Sequence, residues 1–304
     1  MKTVVVTGAG GFIGRSLCRF LEGAGWSVEA LGSREADICR PGRWERVVGG
    51  ARGVVHAAAC QEPPAGCGPA DRDRVRRVNV EGTRRVVRAC VEGGVGRLVF
   101  LSSVKVMTGG GREFFRDEDP PAPEGIYGQS KLEAERAVMA EAAGSGLETV
   151  ILRFPLVYGP AAKGNLARLA AWIAKRRPLP FGAVENRRRM LYLENALDVI
   201  GLALVHPDAA GRTFLAGDDR SVSTAELVRF LARGLGRRPF LVPCPPAVLR
   251  AAAAWAGRAQ EAARLLGSCD FSTERIRRIL HWTPRVDVRR GLEATGRWFA
   301  ENGF

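Results

Sequence analysis

The sequence predicts an α/β fold, a Rossmann-type doubly wound parallel sheet with a smaller mixed C-terminal lobe. Three observations predict it. The chain opens on Val4-Val5-Val6-Thr7-Gly8-Ala9-Gly10-Gly11-Phe12-Ile13-Gly14, a short apolar strand running through a glycine turn into a helix. Apolar strands and longer amphipathic helices then alternate up to about Phe154, the pattern of a parallel sheet with its ligand crevice at the strands' C-terminal ends. Beyond that point prolines mark the loops (Pro155, Pro160, Pro178, Pro180, Pro243, Pro245, Pro246) and the helices shorten.

The glycines have separate jobs. Gly8 lets the chain turn sharply, Gly11 leaves room for a pyrophosphate, and Gly14 lets the helix lie close to the strand. Phe12 and Ile13 open that helix, whose free N–H groups face the phosphates. The helix is expected to run to about Ala24, and Trp26 to Leu31 to form the second strand. An acidic residue at the end of that strand would bind the adenine ribose hydroxyls and select NAD. Here stand Leu31-Gly32-Ser33-Arg34, with Arg34 placed to meet a 2′-phosphate, so NADP is favoured over NAD. Asp37-Ile38 reads as a short third strand whose aspartate accepts from the adenine amino group. Gly53 to Ala59 reads as a fourth strand, its small residues Ala57, Ala58 and Ala59 leaving space for a flat cofactor. His56 on it is expected to be a packed histidine, not a catalyst.

A long helix is expected from about Asp71 to Glu92. It contains Asn79-Val80-Glu81-Gly82, unfavourable in mid-helix on propensity alone, which implies a local contact with a neighbouring strand or the cofactor. Arg97 to Leu101 is the next strand, ending in Ser102-Ser103. The Gly- and Pro-rich stretch Thr108 to Gly125, with Asp117, Glu118 and Asp119, reads as a solvated loop, with a lid as the alternative. A helix follows from Tyr127 to about Ala143, then a strand from Glu148 to Phe154 and a final helix near Arg289 to Glu301. The Ala- and Arg-rich stretch Pro246 to Leu266 reads as a packed or partner-facing helix. The dinucleotide-binding domain is assigned to 1–155 plus about 188–206, and the substrate lobe to about 156–187 and 207–304.

Composition narrows the classes. At 304 residues and 46% hydrophobic, the chain buries a substantial core. No run of ~20 apolar residues is present, so no membrane-spanning helix is expected. The N-terminal strand leaves no room for a signal peptide, and a cytoplasmic protein is expected. Seven scattered cysteines form no CxxC pair, lack histidines at zinc spacing and are read as reduced packing residues, so no metal is expected. The net charge of +14 comes from arginines spread along the chain, with five lysines, and no basic run is interleaved with aromatics. That argues against nucleic acid and for a phosphate-bearing small molecule.

Tyr127 and Lys131 are four residues apart on one helix and share a face. A free tyrosine, with a pKa near ~10, is a poor base at neutral pH; a neighbouring ammonium favours the phenolate. Ser103, ending a strand, can donate to the same substrate oxygen. Together with the glycine turn and Asn79, these residues give the chain a full-length resemblance to the extended short-chain dehydrogenase/reductases. Within them it resembles the branch of UDP-glucose 4-epimerase and the bacterial UDP-N-acetyl-sugar (quinovosamine) 4-reductases of O-antigen synthesis.

The resemblance implies pyrophosphate binding at Gly8, Gly11 and Gly14, helix architecture and proton relay at Asn79, and a substrate-oxygen contact at Ser103. It implies acid/base work for Tyr127 and a nicotinamide-ribose contact for Lys131. It places Phe154 and Pro155 at the nicotinamide, and Asn165, Leu166, Phe181 and Arg188 around the substrate's nucleotide and diphosphate, with Lys105 also among the substrate-binding residues. A UDP-sugar substrate and a homodimer built on the helices of Asn79 and Tyr127 follow. The family's dehydratases carry Asp-Glu after the catalytic hydroxyl, and Val104-Lys105 stands there instead. Met107 replaces a common tyrosine and Leu156 an asparagine that meets the sugar, so plain UDP-glucose is disfavoured as substrate. The expected reaction is hydride transfer at C4 of a UDP-linked, N-acetylated hexose, as 4-keto reductase or 4-epimerase. The rivals are a dihydroflavonol- or hydroxysteroid-type NADP reductase and a non-catalytic dinucleotide-sensing protein.

Overall fold

The computed structural model describes residues 2–33, 37–61, 68–257 and 259–304. In its first half β1 (Thr3–Thr7), α1 (Phe12–Gly23), β2 (Ser27–Leu31), α2 (Arg43–Gly49) and β3 (Gly53–His56) are followed by α3 (Pro69–Arg76). A π-helical stretch, Arg77–Gly82, joins α3 to α4 (Thr83–Glu92). Then come β4 (Arg97–Ser103), β5 (Phe114–Phe115), α5 (Gly125–Ala142) and β6 (Glu148–Phe154). The second half holds β7 (Val157–Tyr158), α6 (Asn165–Ala174), β8 (Leu191–Tyr192), α7 (Leu193–Val205), β9 (Arg212–Leu215) and α8 (Thr224–Gly234). It ends with α9 (Pro246–Trp255), α10 (Ala259–Leu266), β10 (Asp270–Phe271), α11 (Glu274–Leu280) and α12 (Val288–Asn302).

Six of these strands form one parallel sheet in the order β2-β1-β3-β4-β6-β9. Val4, Val5, Val6, Val54 and Val55 are wholly buried, as unbroken apolar strands must be when helices cover both faces. One face packs on α1 and α7 through Leu17, Leu21, Ala196, Ile200 and Ala203. The other packs on α2, α4 and α5 through Val48, Val86, Cys90, Ala134 and Val138. Strand order reverses between β1 and β3, which opens a crevice at their C-terminal ends, beside the glycine turn. A separate core of Leu166, Ala170, Val228, Leu231, Leu292 and Phe299 holds the lobe together.

Three expectations are corrected. Asp37-Ile38 forms a turn and not a strand: the Asp37 carboxylate accepts from the Cys39 N–H at 3.0 Å, a local bond that competes with a sheet ladder. Ile38 is buried instead beside Gly82, where a Cβ would come within 2.8 Å of it, which accounts for the glycine in mid-helix. Second, β9 comes from the stretch assigned to the lobe, yet it pairs with β6 and completes the sheet.

Third, the 108–125 stretch is neither a free lid nor merely solvated. Phe115 is wholly buried, β5 pairs with β10, and the Asp117 carboxylate accepts from the Leu215 N–H at 2.7 Å. The stretch is thereby laced to the lobe on one side and to the sheet on the other. The helical stretch after Pro246 divides into α9 and α10, which pack on each other, and Trp255 is 93% exposed. Among the described residues no helix is long and apolar enough to cross a membrane.

Candidate active site

The glycine turn is a backbone cradle. Gly8 sits at φ +71°, and a Cβ on it would lie 2.6 Å from the Ala58 nitrogen at the end of β3. A Cβ on Gly14 would run into the Gly8 carbonyl oxygen, so α1 can approach β1 this closely only with glycine there. At Gly11 the nearest obstacle is that same carbonyl at 3.1 Å, and no side chain caps α1. Free N–H groups, small neighbours and the positive end of the helix fit a dinucleotide pyrophosphate. Phe12 and Ile13 are half-buried and lean on the sheet core, Ala57 and Ala58 are half-buried, and Ala59 is exposed. A cleft of about 200 Å³ is lined by Asp37, Cys39, Arg40, Arg74, Arg77 and Val78. Arg34, expected to select NADP, lies outside the described residues.

Ser103 ends β4 directly opposite Phe154 at the end of β6, and its oxygen accepts from the Lys105 N–H at 3.2 Å. Tyr127 stands in the first turn of α5, half-buried, and Lys131 follows one turn later, wholly buried. The Lys131 ammonium donates to the Leu101 carbonyl at 2.6 Å and lies 4.1 Å from the centre of the Phe100 ring. Burial pulls its pKa down to about 7, against the opposing pull of Glu135.

Asn79 lies in the π-helical stretch, where the wider turn re-aims side chains. Its oxygen accepts from the Cys60 N–H at 2.7 Å, and its amide donates to the Cys60 carbonyl at 2.9 Å and to Ser130 Oγ at 2.9 Å. Ser130 in turn donates to the Tyr127 carbonyl at 2.8 Å. Asn79 thus clasps the chain after β3 to the helix of Tyr127. His56 is wholly buried between Thr7 (2.6 Å) and Thr83 (2.9 Å), and burial, then the nearby Lys131, lowers its pKa to about 3. It is a neutral packing residue, as the sequence suggests.

Lys105 Nζ is 4.0 Å from Glu124, and Arg188 is half-buried with its backbone bonded to Val222. Arg188 and Lys105 both lie close enough to Cys269 for their charges to act on its thiol, whose pKa burial raises. Arg187 and Arg189 hold Asp270 from the other side, at 3.5 and 2.9 Å, which fixes the register of the Arg188 segment against β10. Phe154 is buried, Pro155 and Phe181 are half-buried, and Asn165 is exposed at the start of α6. Leu166 is packed in the lobe core, so its side chain anchors α6. Sequence reasoning missed Cys269, which no pattern signals. It also missed Glu135 and Arg153, whose signal was a lone cation inside an apolar strand.

The model of the NAD dependent epimerase/dehydratase family matches residues 4–217, which span the cradle, Asn79, Ser103, Tyr127, Lys131 and Arg188. The chain belongs to that family. This family member is 32% identical to a UDP-glucose 4-epimerase of Vibrio cholerae over 99% of its length and 96% of the relative's. It is 31% identical to a 2-alkyl-3-oxoalkanoate reductase of Stenotrophomonas maltophilia over 77% of its length and 76% of the relative's. Among solved structures it resembles MoeE5 in complex with UDP-glucuronic acid and NAD, with a TM-score of 0.81 and 26% identity over 98% of this chain and 99% of that one. As an epimerase/dehydratase family member it is an NAD(P)-dependent enzyme of the extended short-chain dehydrogenase/reductase type.

Proposed function

We propose that this enzyme acts at C4 of a UDP-linked, N-acetylated hexose, as a 4-keto reductase or a 4-epimerase. The observation that carries the reading is that Lys131, one turn after Tyr127 on α5, reaches the Leu101 carbonyl two residues before Ser103 at the end of β4. A bound nicotinamide supplies or accepts the hydride. Tyr127 gives a proton to the C4 oxygen in reduction and takes it in oxidation, while Ser103 donates a hydrogen bond to that oxygen. The Lys131 ammonium stabilises the phenolate form of Tyr127. Arg188 suits a diphosphate, since a guanidinium offers it two parallel N–H bonds, and Lys105 lies toward the sugar. The absence of a carboxylate in Leu31-Gly32-Ser33 favours NADP. The same reading makes the protein a cytoplasmic homodimer paired through the helices of Asn79 and Tyr127, where Met139 is 52% exposed.

The test is to purify the protein, assay it for retained nicotinamide, and offer UDP-N-acetylglucosamine, UDP-glucose and their 4-keto derivatives with NADPH and NADH. Retained cofactor with interconversion of C4 epimers supports the epimerase; consumption of NADPH by a 4-keto sugar supports the reductase. Tyr127→Phe is expected to lower turnover about 10²- to 10⁴-fold, the scale of a positioned acid/base. Full turnover in that variant, or a preference for flat apolar ketones, overturns the reading.

A further inference from the structure

Behind the catalytic residues lies a buried charged network that the mechanism above does not use. Glu135 is one helical turn beyond Lys131, on the same face of α5, and is 1% exposed. It accepts from Ser102 Oγ at 2.5 Å and from both Arg153 Nε (3.0 Å) and Arg153 Nη2 (2.7 Å). Ser102 precedes Ser103, and Arg153 precedes Phe154, so one carboxylate ties together the ends of β4 and β6 and the helix of Tyr127. From this geometry we infer that Glu135, locked by Arg153 and Ser102, is the positioning residue that keeps Lys131 an ammonium one turn from Tyr127.

The inference rests on the reading of Lys131 as the partner of Tyr127. Among the described residues, Glu135 of α5, His56 of β3, and the Leu101 carbonyl and Phe100 ring of β4 face Lys131, and β6 brings Arg153 through Glu135. His56 is neutral, held between two threonine hydroxyls. Glu135 is thus the anion that offsets the cost of burying the Lys131 charge. The bidentate guanidinium and the Ser102 hydroxyl hold that carboxylate in place. A hydrophobic pair would pack as well, but it would leave the lysine without a countercharge.

The chain contains only Lys2, Lys105, Lys131, Lys163 and Lys175, so the titration of Lys131 can be followed by NMR of lysine-labelled protein, assigned with Lys131→Arg. Glu135→Gln is expected to lower the Lys131 midpoint by about one to two pH units, the effect of losing an opposite charge a turn away. Glu135→Asp, which keeps the charge, is expected to stay within about half a unit. Should Glu135→Gln fail to fold, the double variant Glu135→Gln/Arg153→Leu replaces the pair by neutral groups. A smaller downward shift is expected there, because the Arg153 cation that opposes the lysine charge leaves together with the carboxylate. An unchanged midpoint in whichever of these two charge-removing variants folds, or equal shifts in Gln and Asp, overturns the inference. The midpoint is read without substrate, so failure of every UDP-sugar assay would count against the proposed function and leave this result standing. Where turnover is measurable, the alkaline limb of kcat is expected to move with the midpoint.

Discussion

At the scale of single residues, burial sets the chemistry. His56 and Lys131 are both fully enclosed cations-in-waiting, yet His56 has two hydroxyl partners and no anion, whereas Lys131 has Glu135 on its own helix. His56 therefore stays neutral. With its pKa lowered to about 3, the unfolded chain binds the extra proton first, so its contribution to stability is present above about pH 6.5 and is lost as pH falls toward 3. Replacing His56 by Ala is expected to cost about 2–4 kcal/mol in urea unfolding at pH 7, from the cavity and the loss of its hydrogen bonds with Thr7 and Thr83. Above pH 5 the shape of the pH–rate profile is expected to remain that of the wild type. A changed profile would make His56 part of the chemistry. The packing role of His56 was legible in the sequence from its strand. The anion beside Lys131 was not, because Glu135 reads locally as one more polar residue on a helix.

At the scale of elements, two segments carry the site. The β1–α1 turn works because Gly14 permits a backbone approach that any Cβ would block. Gly14→Ala is expected to cost about 1–3 kcal/mol by overpacking and to weaken NAD(P) binding at least tenfold, as read by nucleotide titration. Unaltered cofactor affinity would disconnect the turn from the cofactor. The second segment is the 108–125 strap. Its acidic composition suggests solvation, but the run conceals one inward carboxylate, Asp117, whose pKa burial raises to about 6. A raised carboxylate stabilises below its unfolded value and loses that contribution as pH climbs from about 4 to 6. Asp117→Asn keeps an acceptor for Leu215 and removes the titration. Its stability is expected to gain on the wild type by about 1–2 kcal/mol across that interval. Parallel pH dependence in the two proteins would place Asp117 in water.

At the scale of the whole molecule, the glycine cradle sits on the parallel sheet, and the Arg188 segment is bridged to Val222 and Cys269. The net charge of +14 gives an anionic substrate a favourable field, which salt screens. For a UDP-sugar, kcat/KM is expected to fall several-fold between about 20 and 300 mM salt, and Arg188→Ala to raise KM roughly 10- to 100-fold with little change in kcat. Salt-independent kinetics with an unaffected KM would remove the diphosphate from Arg188.

The sequence alone determined the strand-turn-helix cradle, the alternation that builds the sheet, and the helical spacing of Tyr127 and Lys131, because each is a local rule of backbone and period. The tertiary structure decided what depends on residues distant in the chain. It placed β9 as the last strand of the sheet, since pairing with β6 outweighs its position after the lobe begins. It turned Asp37-Ile38 into a side-chain-stabilised turn and drew Asp117 inward. It also set the Arg153 cation of one strand against the Glu135 anion of a helix. Local pattern cannot supply these, because the desolvation that makes them matter exists only once the chain has closed around them.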